Sequence, residues 1–136
     1  MGEPTLGIIT SFHYSAAHDS PENTAFKKAY IETNGTRLRP NFMAAAGYDG
    51  MAAIAEALKK TQGSTDPEKL MAAFKGMKIM SPRGPIMIDP ETRDIVMNEY
   101  LVEVVKGSDG KLYQKLLATI ENVKDACKAQ KIAPCK

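Results

Sequence analysis

From Ile95 to Lys106 the even positions Val96, Tyr100, Val102 and Val104 are apolar, and only Asn98 breaks the row. That alternation predicts a strand with one face buried against a core. A shorter apolar run, Gly84–Ile88, precedes it, and Asp89-Pro90-Glu91-Thr92-Arg93-Asp94 joins the two. Pro90 fixes its own φ and the Asp89 side chain can bond the backbone two residues on, so the chain turns there. The β-branched and aromatic residues of 6–14 predict another strand, ending in Phe12-His13-Tyr14-Ser15. Residues 111–120 read as a partly polar edge strand after the turn Gly107-Ser108-Asp109-Gly110.

Helical spacing takes over between these strands. Ser20 is placed to cap a helix that starts at Pro21, with Ala25, Phe26, Ala29, Tyr30 and Thr33 as its inner stripe and Gly35 as its stop. Residues 41–61 form the most apolar helix, whose first half is apolar nearly all round and is expected to be buried on most sides. Gly47 and Gly50 within it imply close approach of another backbone, and Asp49, the lone charge of that first half, needs a partner. Thr65 and Glu68 stand at capping-box spacing ahead of Leu70, Ala73, Phe74 and Met77. A short helix over 121–130 closes the chain.

Strands and helices together predict an α/β chain. Its 136 residues, 43% hydrophobic and 25% charged, suffice for one folded unit with a core. A net charge of +2 without a Lys/Arg cluster argues against nucleic acid as a partner. The longest apolar run, 43–46, is too short to span a bilayer. Met1-Gly2-Glu3-Pro4 has neither the charged start nor the apolar stretch of a signal peptide, and the early apolar run suggests a piece cut from a longer chain. The cysteines, Cys127 and Cys135, fit neither a CxxC redox pair nor a zinc knuckle. Unpaired surface thiols and a disulfide clip on the tail are both open readings.

Catalytic signatures are missing. There is no Gly-x-Ser-x-Gly elbow, and Gly47-Tyr48-Asp49-Gly50 falls inside a helical pattern, not in a phosphate loop. His13, His18 and Asp19 match no metal-ligand spacing. Asp89, Glu91 and Asp94 depart from a calcium loop in both spacing and glycine. Asn34-Gly35-Thr36 is formally a glycosylation sequon, relevant only in a eukaryotic secreted protein. No nucleophile, acid–base pair, metal or cofactor site is expected, which leaves binding as the function class.

Several stretches carry a more specific message. Gly7-Ile-Ile-Thr-Ser-Phe-His-Tyr-Ser15, residues 23–30, Arg39-Pro-Asn-Phe42 with Gly47-Tyr-Asp-Gly50, Ser81-Pro-Arg-Gly-Pro-Ile86 with Asp89-Pro-Glu-Thr-Arg-Asp94, and Glu99-Tyr-Leu-Val-Glu-Val-Val105 occur in this order. From residue 6 to about residue 120 the chain resembles the C-terminal part of the periplasmic substrate-binding proteins of branched-chain amino acid ABC transporters, the Leu/Ile/Val-binding class.

The resemblance implies a two-lobed clamp of type I periplasmic-binding-protein fold that closes on a small ligand and hands it to an ABC permease without chemistry. This chain would be one truncated α/β unit, 1–136, lacking most of the N-terminal lobe. Residues 1–36 and 95–136 would be second-lobe-like and residues 41–88 first-lobe-like. The periplasm, and a disulfide between Cys127 and Cys135, follow from the same resemblance. So does incompleteness, to be met by the missing lobe or by self-association. Ligand contact is expected at Phe12, His13, Tyr14 and Phe42, with core packing as the rival role for Phe12 and Phe42. Tyr48 and Asp49 would give structural or hinge support. Leucine-binding members carry an acidic residue just before the glycine corresponding to Gly7, and this chain has Leu6 there. That departure points from an α-amino acid towards an acid without the amine, such as an aromatic carboxylate. The alternative is a structural or oligomerising module that keeps the fold elements and binds nothing small.

Overall fold

The computed structural model describes residues 2–131. After a 3-10 turn at Glu3–Thr5 come β1 (Ile9–Phe12), α1 (Pro21–Asn34), α2 (Phe42–Lys60) and α3 (Pro67–Phe74). Strands β2 (Lys78–Ser81), β3 (Gly84–Ile88), β4 (Ile95–Lys106) and β5 (Leu112–Val123) follow, then the short α4 (Ala126–Ala129).

All strands belong to one antiparallel sheet organised on β4. Strand β1 pairs along it from Ile9↔Glu103 to Phe12↔Tyr100, and β5 pairs from Lys106↔Leu112 to Met97↔Val123. Strand β3 joins at Met87↔Val96 and Ile88↔Ile95, and β2 closes a hairpin on β3. The alternation read from the sequence holds residue by residue: Val96, Asn98, Tyr100, Val102 and Val104 are all buried. Strand β5 is an edge, as expected, but runs on to Val123, so the terminal helix shrinks to Ala126–Ala129. Cys127 lies in that helix. Cys135 and the pairing expected for it lie outside the described residues.

The helices depart from expectation in instructive ways. In α1 the Ser20 side chain caps the Asn23 amide and Gly35 ends the helix, but the buried residues are Asn23 and Phe26, with Ala25, Ala29 and Thr33 exposed. In α2 only Ala45, Asp49 and Ala57 are buried, whereas Met43, Tyr48, Met51 and Ile54 face solvent. The apolar composition was right, but among the described residues no element covers the rest of the helix. Gly47 and Gly50 have open space where a Cβ would stand, so no backbone approaches them closely. Helix α3 is capped by Asp66, whose carboxylate accepts from the Lys69 amide, in place of Thr65. Met77 leaves the helix and is buried ahead of β2, a strand that the sequence did not announce.

The turn at Asp89 forms as its residues require. Asp89 Oδ1 accepts from the amides of Glu91 (2.8 Å) and Thr92 (3.2 Å), and Oδ2 accepts from Lys124 Nζ at 2.8 Å. The Lys124 bond first, then these amides, hold the Asp89 carboxyl down at about 2 against an ordinary 3.8. Because the folded value is depressed, the contribution is complete above about 3.8 and is lost as pH falls through about 2. Comparing unfolding free energy against pH for the wild type and Asp89→Asn, the gap between them should close over that window. A gap of constant size down to pH ~2 would show that the carboxylate's ionisation is not what stabilises the turn.

Candidate ligand-binding site

Asn23 builds the loop after β1. Fully buried at the start of α1, it accepts from the Tyr14 hydroxyl at 3.1 Å and donates to the His18 carbonyl at 2.7 Å. Ser15 Oγ donates to Gln114 Oε1 at 3.0 Å, tying the same loop to β5. Tyr14 packs with Phe26 and Ala45, so one wall of the loop is part of the core. Burial pushes the Tyr14 phenol up to about 12, so its proton stays on and its bond to Asn23 persists at any ordinary pH.

Where this loop faces the start of α2, the expected aromatic residues meet. Phe12 stacks on His13 at 4.5 Å and meets Phe42 edge-on at 4.9 Å, and His13 stands 5.7 Å from Phe42. Burial, reinforced by the charge of Arg83 and opposed by Glu99, lowers the His13 pKa and favours the neutral ring. A cleft of about 670 Å³ opens beside this cluster. Phe12, Tyr14 and Phe42 line it; His13 stacks behind them and does not.

Residues missed by the sequence reading complete the walls. Lys27 of α1, Arg39 of the connector before α2, and Tyr113 of β5 all face the cleft. Among the described residues no aspartate or glutamate lines it. Lys27 Nζ donates to the Ala16 carbonyl at 3.0 Å, and the Arg39 guanidinium lies over the Tyr113 ring at 5.8 Å. The available signal was the pairing of Arg39 with Pro40 directly before Phe42, which a reading of that stretch as a mere connector passes over. A concave, largely apolar site with the rings of Phe12, Tyr14, Phe42 and Tyr113, two cations and no carboxylate among the described residues suits a small planar anion.

Tyr48 and Asp49 lie elsewhere. Tyr48 is 52% exposed, with its ring 5.2 Å from Phe26. Asp49 is 3% exposed, and its Oδ2 accepts from Arg83 Nε at 2.7 Å. Arg83, itself 4% exposed, also reaches the Met97 sulfur through Nη1, and its carbonyl accepts from the Tyr100 hydroxyl at 2.6 Å. The lone charge in the first half of α2 therefore has its partner. Among the described residues no group of three or more metal-binding side chains is close enough to hold an ion. Nor, among the described residues, is any helix long and apolar enough to cross a membrane.

Comparison with known proteins gives this architecture its lineage. The sequence profile of the periplasmic binding protein family matches residues 1–111. The chain belongs to that family. A Leu/Ile/Val-binding protein homologue of Brucella abortus is 44% identical over 125 residues, covering 92% of this chain and 32% of the relative. Among solved structures, an ABC-transporter solute-binding protein from Rhodopseudomonas palustris BisB5, in complex with 3,4-dihydroxybenzoic acid, superposes with a TM-score of 0.88 at 53% identity. It is matched over 94% of this chain and 34% of its own. A solute-binding protein from R. palustris HaA2, in complex with p-hydroxybenzoic acid, gives 0.85 at 45% identity, over 95% and 35%. The chain thus spans about a third of the length of these periplasmic binding proteins, and its open sheet with flanking helices is a partial periplasmic-binding-protein fold.

Proposed function

We propose that this chain is part of the ligand clamp of an ABC-transporter solute-binding protein in the periplasm, capturing a small aromatic carboxylate and delivering it to a membrane permease. The observation that carries this reading is the cleft lined by Phe12, Tyr14, Phe42 and Tyr113, whose charged side chains among the described residues, Lys27 and Arg39, are both cationic. Leu6 supports it too, standing where leucine-binding members hold the ligand's ammonium. The structural relatives that hold dihydroxybenzoate and hydroxybenzoate support it further. Within the whole clamp, residues 1–36 and 95–136 serve the second lobe and residues 41–88 the first, and the exposed face of α2 is ground for the rest of the protein to cover. Phe12, Tyr14 and Phe42 contact the ligand, His13 braces Phe12 and Phe42, and Tyr48 and Asp49 steady the hinge region.

Thermal unfolding with 4-hydroxybenzoate, 3,4-dihydroxybenzoate, benzoate, leucine and valine tests the reading. A ligand at a hundred times its Kd should add about 2.7 kcal/mol of stability, visible as a raised Tm for an aromatic acid and none for leucine or valine. A shift with leucine alone would overturn it. One observation favours the second reading, an oligomerising module: Met43 and Met51 of α2 are 68% and 65% exposed. Light scattering on the same sample separates the two. A dimer silent towards every acid supports the module, and a species that responds to an aromatic acid supports the clamp.

A further inference from the structure

We propose that Arg39 is the specificity-determining residue of the cleft: it takes the carboxylate of the aromatic acid in a paired hydrogen bond while its guanidinium sits over the face of the Tyr113 ring. The inference rests on the aromatic-acid reading above and adds which atoms recognise the anion. It follows from an account of the polar side chains that line the space. The Tyr14 hydroxyl is committed to Asn23, and the Tyr113 hydroxyl to Asp109 Oδ2 at 2.7 Å. Asn41 Oδ1 is committed to capping α2, accepting from the amides of Met43 and Ala44 at 3.1 Å each. Gln114 Oε1 holds Ser15, and Lys27 Nζ holds the Ala16 carbonyl. Thr10, which also lines the space, carries no charge, and Lys27 keeps two further N–H groups but is a flexible point charge without a planar fork. Arg39 differs from all of these. Among the described residues its guanidinium makes no hydrogen bond or ion pair, and the contact it does make is to the face of the Tyr113 ring.

That arrangement fits a carboxylate. A guanidinium presents its N–H groups as a planar fork matched to two carboxylate oxygens, and stacking on an aromatic ring leaves the edge of the fork free. Tyr113 is held by Asp109, and the Arg39 guanidinium already lies 5.8 Å above that ring. The positive end of α2, which begins at Phe42 beside Arg39 in the lining, favours the same sign of charge. Phe12 and Phe42 are then left to take the ring of the ligand, and the carboxylate is directed towards the connector before α2.

Isothermal titration of the whole 136-residue chain with 4-hydroxybenzoate, beside its neutral isostere 4-hydroxybenzamide, tests the assignment. Arg39→Met should weaken the acid about 10- to 100-fold and leave the weakly bound amide unchanged. Arg39→Lys, which keeps the charge and loses the fork, should fall between. Because Arg39 is exposed, the variants should unfold at the wild-type temperature, and a parallel melt checks it. If the wild type binds the acid and Arg39→Met binds it equally, the aromatic-acid reading stands and the assignment to Arg39 fails. If Arg39→Met loses acid and amide alike, the residue is a wall of the cleft and not an anion anchor. If the wild type takes no aromatic acid, the reading itself falls and this inference falls with it.

Discussion

Asp49→Ala is expected to destabilise the fold by about 3–5 kcal/mol, because it strands a buried arginine. Arg83 is 4% exposed and gives its Nε hydrogen to Asp49 at 2.7 Å. Its other recorded side-chain contact is to a thioether sulfur, a weak acceptor. Removing the carboxylate leaves a cation with neither water nor counter-charge, and that penalty, more than the worth of the pair, sets the size of the effect. The pair is itself incompletely satisfied, since Asp49 Oδ1 has no partner among the described residues. Replacing both members, as Asp49→Ala with Arg83→Met, should therefore recover most of the loss. Urea unfolding reads this out: a lower midpoint at unchanged slope for the single variant, and a near-normal midpoint for the double. A single variant within about 1 kcal/mol of wild type would mean that Arg83 finds water or another acceptor.

Gly84→Ala should cost about 2–5 kcal/mol, for reasons of backbone and of space. Gly84 has φ +88°, where a side chain is strained, and an added Cβ would stand 2.7 Å from the Tyr100 hydroxyl. Tyr100 is 1% exposed, and its hydroxyl is held by the Arg83 carbonyl at 2.6 Å, so it has no room to retreat. Adding Tyr100→Phe removes the colliding oxygen and leaves the backbone strain, so the pair should be less unstable than the sum of its singles. Strict additivity of the two would sink the steric half of the account.

What could be read in the sequence was periodic, and what could not was convergent. Strands β3 and β4 appear with the bounds their alternation and turn residues predicted, because a period of two and an Asp-Pro turn are local signals. Strand β2 was hidden because Lys78-Ile-Met-Ser is short and Met77 continues the helical spacing of α3. Burial of α2 was overestimated because composition tells which faces want cover and not whether cover is present. Arg83 looked like a turn residue, and only the fold shows it reaching back to α2. In the cleft, Phe12, Tyr14 and Phe42 followed from the family resemblance. Lys27, Arg39 and Tyr113 come from a helix, a connector and an edge strand, and no spacing in the chain announces that they meet.

The dependence of the whole sheet on β4 also dictates an order of events in time. Strand β1 pairs with β4 across residues 13–94, which include three helices and two other strands. The β4–β5 hairpin needs only a tight turn to close, and it forms first at little entropic cost. Strand β1 then docks across a long intervening loop, a slow step typical of non-local pairing. Strand β1, and with it the Phe12 end of the cleft, therefore depends on the pairing of longest range in the sheet.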